Sequence, residues 1–67
     1  MQKPQRDQVI QALTQVALLE AKNILTHFAE IVAYLERQEY LAARGTMMEM
    51  EGNYKLLDAV LSAAARL

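Results

Sequence analysis

The sequence predicts an all-α fold, a helical hairpin that assembles as a homodimeric helical bundle. Three observations predict it. Apolar residues recur at spacings of three and four over most of the 67 residues, and nowhere do they alternate with the period of a strand. A single stop-and-start signal, Gly45 followed by Thr46, divides the chain unequally. The longer segment then carries more apolar surface than the shorter one can cover.

The chain reads as one helical domain over residues 1 to 67. Residues 1 to 4 read as a frayed end, with Pro4 suited to a first helical turn and Asp7 near the positive end of the helix dipole. The absence of glycine and proline then predicts one helix over residues 5 to 43. At about 100° per residue, Ile10, Leu13, Ala17, Ala21, Ile24, Phe28, Ile31 and Leu35 fall within roughly 80° of one another. Leu18, Leu25 and Val32 widen this arc on one side, Val9 and Val16 on the other. Such a face is broader than a two-stranded seam and suits a helix touched by two or three neighbours.

Residues 44 to 46 form the predicted turn. Arg44 offers a cation to the last carbonyls, Gly45 can take the left-handed conformation, and Thr46-Met47-Met48-Glu49 has the spacing of a capping box. The second helix, over residues 47 to 66, carries Met47, Met50, Tyr54, Leu57, Leu61 and Ala64 on one face, with Val60 alongside and Glu51 placed to pair with Lys55. Gly52 costs about 1 kcal/mol relative to alanine, which makes Gly52-Asn53 a candidate break.

A helix over residues 5 to 43 is about 58 Å long and one over 47 to 66 about 30 Å, so the second reaches back only to about residue 24. Val9 to Leu19 are left uncovered, about 10 kcal/mol of unrealised burial, which exceeds the net stability expected of so small a domain. Self-association through Val9, Ile10, Leu13, Val16, Ala17, Ile24 and Phe28 resolves the imbalance. The alternative is a monomeric three-helix bundle with a break near residues 22 to 26 and Thr26 as a cap, although Ala29 stands where a capping box wants Glu.

Composition favours assembly. Without cysteine, neither a disulfide nor a thiolate metal site supplements the small core. Seven basic and eight acidic residues leave a net charge of −1, and the cations are scattered, which disfavours nucleic acid as a partner. Lys22, Arg37 and Arg44 from two protomers would have to combine for the alternative function, a small dimeric helical nucleic-acid-binding regulator. No apolar run reaches the roughly 18 residues of a membrane span, and the first eight residues lack the apolar region of a leader. A cytoplasmic chain without membrane contact is expected.

No residue constellation points to catalysis, a cofactor or a metal. His27, the single histidine, precedes Glu30 by three, the reverse of the repeated Glu-x-x-His pattern of carboxylate metal sites. Glu36 with Glu39 and Glu49 with Glu51 read as solvated helix surface, and neither Ser62 nor a threonine has a glycine-rich elbow or an orienting base. A small enzyme or ligand sponge would need His27, Glu30 and Tyr34 to meet between protomers. The chain is therefore expected not to be an enzyme. Met47, Met48 and Met50 form an adaptable apolar cluster, Tyr40 and Tyr54 are amphipathic, and Leu19 and Leu56 point away from their own stripes. These seven residues are the candidate partner-binding set. The expected function is a non-enzymatic protein–protein interaction module, a small helical adaptor, chaperone or inhibitor, that presents an apolar helix face to another protein as well as to itself.

Overall fold

A computed structural model describes the backbone from Gln2 and the side chains from Arg6. The described residues form two antiparallel helices, α1 (Gln2–Glu36) and α2 (Tyr40–Ala65), with no strand. The all-α hairpin expected from the periodicity is present, but its turn is elsewhere. α1 is helical from Gln2, where fraying was expected; Met1 lies outside the described residues.

The connection is Arg37-Gln38-Glu39, not residues 44 to 46. It closes α1 with a pair of main-chain bonds: Gln38 N–H donates to the Leu35 carbonyl at 3.0 Å and Glu39 N–H to the Tyr34 carbonyl at 2.8 Å. This double closure requires a left-handed residue between them, and Gln38 supplies it at φ 59°. The Arg37 Nε donates to Glu39 Oε1 at 2.7 Å, and the guanidinium carbon lies 5.4 Å from the centre of the Tyr34 ring, so the turn is braced from both sides. The Glu39 hydrogen bond and charge hold the Arg37 guanidinium further above its ordinary pKa, so it stays charged.

Tertiary pairing explains the displacement. A left-handed non-glycine residue costs about 1 to 2 kcal/mol, and a turn at Gly45 would avoid that cost. It would also strand the leucines and valines of the amino-terminal third, a loss of about 10 kcal/mol by the area argument. With the turn at residues 37 to 39, α2 runs back along almost the whole of α1. The Arg6 guanidinium reaches the main-chain oxygen of Leu67, so the carboxyl-terminal end of the chain lies beyond the level of Val9 to Leu19. Gln38→Gly should therefore stabilise the protein by about 1 kcal/mol, read as a higher urea midpoint at fixed chain concentration.

Other local signals yield to the same pairing. Gly45 lies inside α2, as do Gly52 and Asn53, so neither the turn nor the candidate break occurs there. The three-helix alternative fails because α1 continues through residues 22 to 26, where the Thr26 hydroxyl donates to the Lys22 carbonyl at 3.1 Å instead of capping a new helix. Thr46 behaves likewise, donating to the Ala42 carbonyl at 3.2 Å from a buried position.

Each helix offers a seam with strictly alternating steps of three and four. On α1 it runs Ile10, Leu13, Ala17, Glu20, Ile24, His27, Ile31, Tyr34; on α2 it runs Ala43, Thr46, Met50, Asn53, Leu57, Val60, Ala64. Every one of these residues is buried or half-buried. The mean step of 3.5 gives a left-handed antiparallel coiled coil. Register is visible in two bonds, Asn53 to Glu20 and Arg6 to Leu67, both joining residues whose numbers sum to 73.

Candidate functional site

The seam is a poor core. Only Ile31, Ala43 and Val60 are buried apolar residues among those described, and no large side chain is fully buried. Glu20, His27, Thr46 and Asn53 occupy its middle. Asn53 Nδ2 donates to Glu20 Oε1 at 2.6 Å across the helices, and no buried side-chain polar atom among the described residues lacks a partner. Polar satisfaction is complete, but little apolar burial is gained.

The missing apolar surface lies one residue along. Shifting the α1 seam by one position gives, after Gln11 and Thr14, Leu18, Ala21, Leu25, Phe28, Val32 and Leu35, again in alternating steps of three and four, and wholly apolar from Leu18 onward. Its five large members are 49 to 68% exposed. The same shift on α2 brings up Tyr40, Met47, Tyr54 and Leu61, seven residues apart and each more than half exposed, with Arg44, Glu51 and Asp58 between them on the outer flank. In an antiparallel pair the residues that follow the seam positions lie on one side of both helices. The two rows therefore form a single face that runs on α1 from Leu18 to Leu35 and on α2 from Tyr40 to Leu61, here termed the stripe face.

At the open end of the hairpin the face is indented by a groove of about 320 Å³. Leu13, Ala17 and Ala21 of α1 and Leu57, Val60 and Ala64 of α2 line it, with Leu18, Leu61 and the single polar residue Thr14 also contributing. The alanines make the hole: small side chains on both helices leave space between the leucines. No family model, curated protein or solved structure significantly matches this chain.

The expected self-association residues are divided by the fold. Ile10, Leu13, Ala17 and Ile24 are half-buried in the seam against α2, whereas Val9, Val16 and Phe28 remain exposed. By helical phase Val9 and Val16 lie on the side of the hairpin opposite to Phe28. The partner-binding candidates are also separated. Tyr40, Met47 and Tyr54 share the stripe face, Met50 belongs to the seam, Met48 is on the outer side of α2, and Leu19 and Leu56 share the opposite face. Sequence reasoning counted Leu18, Leu25 and Val32 as the flank of one wide stripe. The signal that separates them is the strict alternation of three and four, which runs twice along α1, one position apart.

Among the described residues no group of three or more His, Asp or Glu side chains could hold a metal ion. His27 Nδ1 lies 3.1 Å from Glu30 Oε1, while Tyr34 is engaged with Arg37 in the turn. Glu51 and Lys55 make the expected pair at 2.9 Å. Lys22 is on the outer side of α1, Arg37 is committed to Glu39, and Arg44 flanks the stripe face, so these three cations do not share one face of the hairpin.

Proposed function

We propose that the chain is a non-enzymatic protein–protein interaction module, a small helical adaptor, chaperone or inhibitor of the cytoplasm that docks on proteins, itself included, through an apolar helix face. One observation carries the proposal: from Leu18 to Leu35 the second heptad row of α1 is wholly apolar, whereas the seam beside it is interrupted by Glu20 and His27, yet the large residues of that second row are exposed. Contiguous apolar surface of this extent marks an interaction site on a small protein. Recognition is helix against helix, with anchors three and four residues apart. No helix among the described residues is long and apolar enough to cross a membrane, which accords with this reading.

Salt separates this proposal from nucleic-acid regulation. Apolar docking survives high ionic strength, whereas phosphate contacts release counterions and weaken steeply. The tagged chain, expressed with an untagged copy in a cell lysate, should retain protein through a wash in about 1 M salt and give no shift of nucleic acid in a gel at low salt. A chain that retains nucleic acid or a small molecule, and no protein at high salt, overturns the proposal.

A further inference from the structure

The next inference rests on the docking reading of the stripe face and names its occupant. We propose that a second copy of the chain covers it, forming an antiparallel four-helix bundle whose two-fold axis crosses the hairpins at the level of Asn23 and Met50, with Phe28 of each copy seated in the groove of the other.

Area is the first argument. The hairpin exposes 5438 Å², whereas a compact protein of its mass exposes about 4,300 Å². Its radius of gyration of 15.9 Å likewise exceeds the roughly 11 Å of a compact chain of this length. The excess of about 1,100 Å² is slightly more than the roughly 800 Å² that each partner contributes to a stable interface of standard size. One face-to-face contact per chain absorbs it. A seam interrupted by Glu20, His27, Thr46 and Asn53, with only Ile31, Ala43 and Val60 as buried apolar residues among those described, offers little apolar burial in place of that contact.

Symmetry is the second. The α2 row of Tyr40, Met47, Tyr54 and Leu61 has its midpoint between Met50 and Glu51. The register of the hairpin, with opposed residue numbers summing to 73, puts that level opposite residues 22 and 23 of α1. An axis there, perpendicular to the helices, brings the central apolar residues of each helix level with apolar residues of the partner, while Val32 and Leu35 fall level with the partner's Thr14 and Gln11. Leu18 meets the partner's Phe28 and Ala21 the partner's Leu25, while Tyr40 meets the partner's Leu61 and Met47 the partner's Tyr54. The same operation brings Arg44 level with the partner's Asp58, opposite charges on the rim. Glu51, near the axis, is already paired with Lys55 of its own chain at 2.9 Å.

The groove is the third. Its α1 lining, from Leu13 to Ala21, spans the level to which this axis carries Phe28, the one phenylalanine in the chain and half exposed. Three alanines form the hole and an aromatic ring forms the knob. A register set by the α2 row thus also fills the groove between α1 and α2.

Light scattering should give twice the chain mass of 7.6 kDa. The register is read by cysteine cross-linking in a chain that has no cysteine of its own. Met47 and Tyr54 are about 10 Å apart along one helix, beyond the reach of a disulfide, so a Met47→Cys, Tyr54→Cys double variant can close bridges only between copies. On oxidation it should become a covalent dimer, while each single variant remains unlinked. Phe28→Asp should lower the mass to that of one chain or unfold the protein, and Phe28→Leu should keep the dimer. A wild-type mass of one chain overturns the inference, as does cross-linking of the single variants to the same extent as the double. A monomer that still docks another protein overturns this inference alone. A dimer that binds only nucleic acid overturns the adaptor reading and leaves this one standing.

Discussion

Asn53→Ala should lower the stability of the protein by about 2 kcal/mol, because it leaves the Glu20 carboxylate in the seam without the amide that donates to it. Glu20 is only 8% exposed, and truncating Asn53 removes the 2.6 Å bond without supplying another donor. The companion experiment replaces both partners. Glu20→Leu with Asn53→Leu turns the middle of the seam apolar and should raise stability by about 1 to 4 kcal/mol, as when buried polar pairs elsewhere give way to packed hydrocarbons. The cost should appear as lost uniqueness. This pair forms at one register only, whereas leucines accept slippage by a heptad, so the double variant should show broadened amide resonances or mixed oligomers. Urea unfolding at fixed chain concentration measures the first effect. A single sharp species with unchanged mass would show that the pair does not select the register.

Gly45→Ala combined with Gly52→Ala should stabilise the protein by about 2 kcal/mol, about 1 kcal/mol for each glycine removed from a helix interior. Both positions are exposed, and a Cβ at either meets nothing within 4 Å. The sites are about 10 Å apart, so the two effects should add. For a domain of this size the melting temperature should rise by about 8 to 16 °C. The sign of the Gly45 change also locates the turn. A left-handed Gly45 at a helix end would make alanine destabilising, as the local sequence pattern suggests; a helical Gly45 makes it stabilising. Gln38→Gly supplies the complementary result from the connection itself, and opposite signs in both experiments would return the turn to residues 44 to 46.

Much of the fold was legible before any coordinates. The spacing of apolar residues identified two helices in antiparallel order, and the breadth of the α1 stripe implied more than one neighbour. What misled was the strength of a purely local signal. Gly45 and the Thr46-to-Glu49 box carry the residue types of a helix end, whereas the real connection, Arg37-Gln38-Glu39 following Glu36 at the end of α1, has no glycine, proline or side-chain cap on α2. It does have the longest run of polar side chains after residue 8, a weaker clue that the chain leaves its apolar seam there. The polar pair of Glu20 and Asn53 gave no local sign of its role, since two polar residues 33 positions apart are related only once the register is known.

The sequence by itself determined the helical periodicity and the excess of apolar surface, because both follow from the order of side chains along a helix of known pitch. The position of the turn, the pairing of Glu20 with Asn53, and the division of α1 into a used row and an open one were decided by the tertiary structure. The physical reason is one of scale. A favourable turn residue is worth about 1 kcal/mol, whereas aligning two helices over their full length is worth several times that, so long-range register overrode the local punctuation.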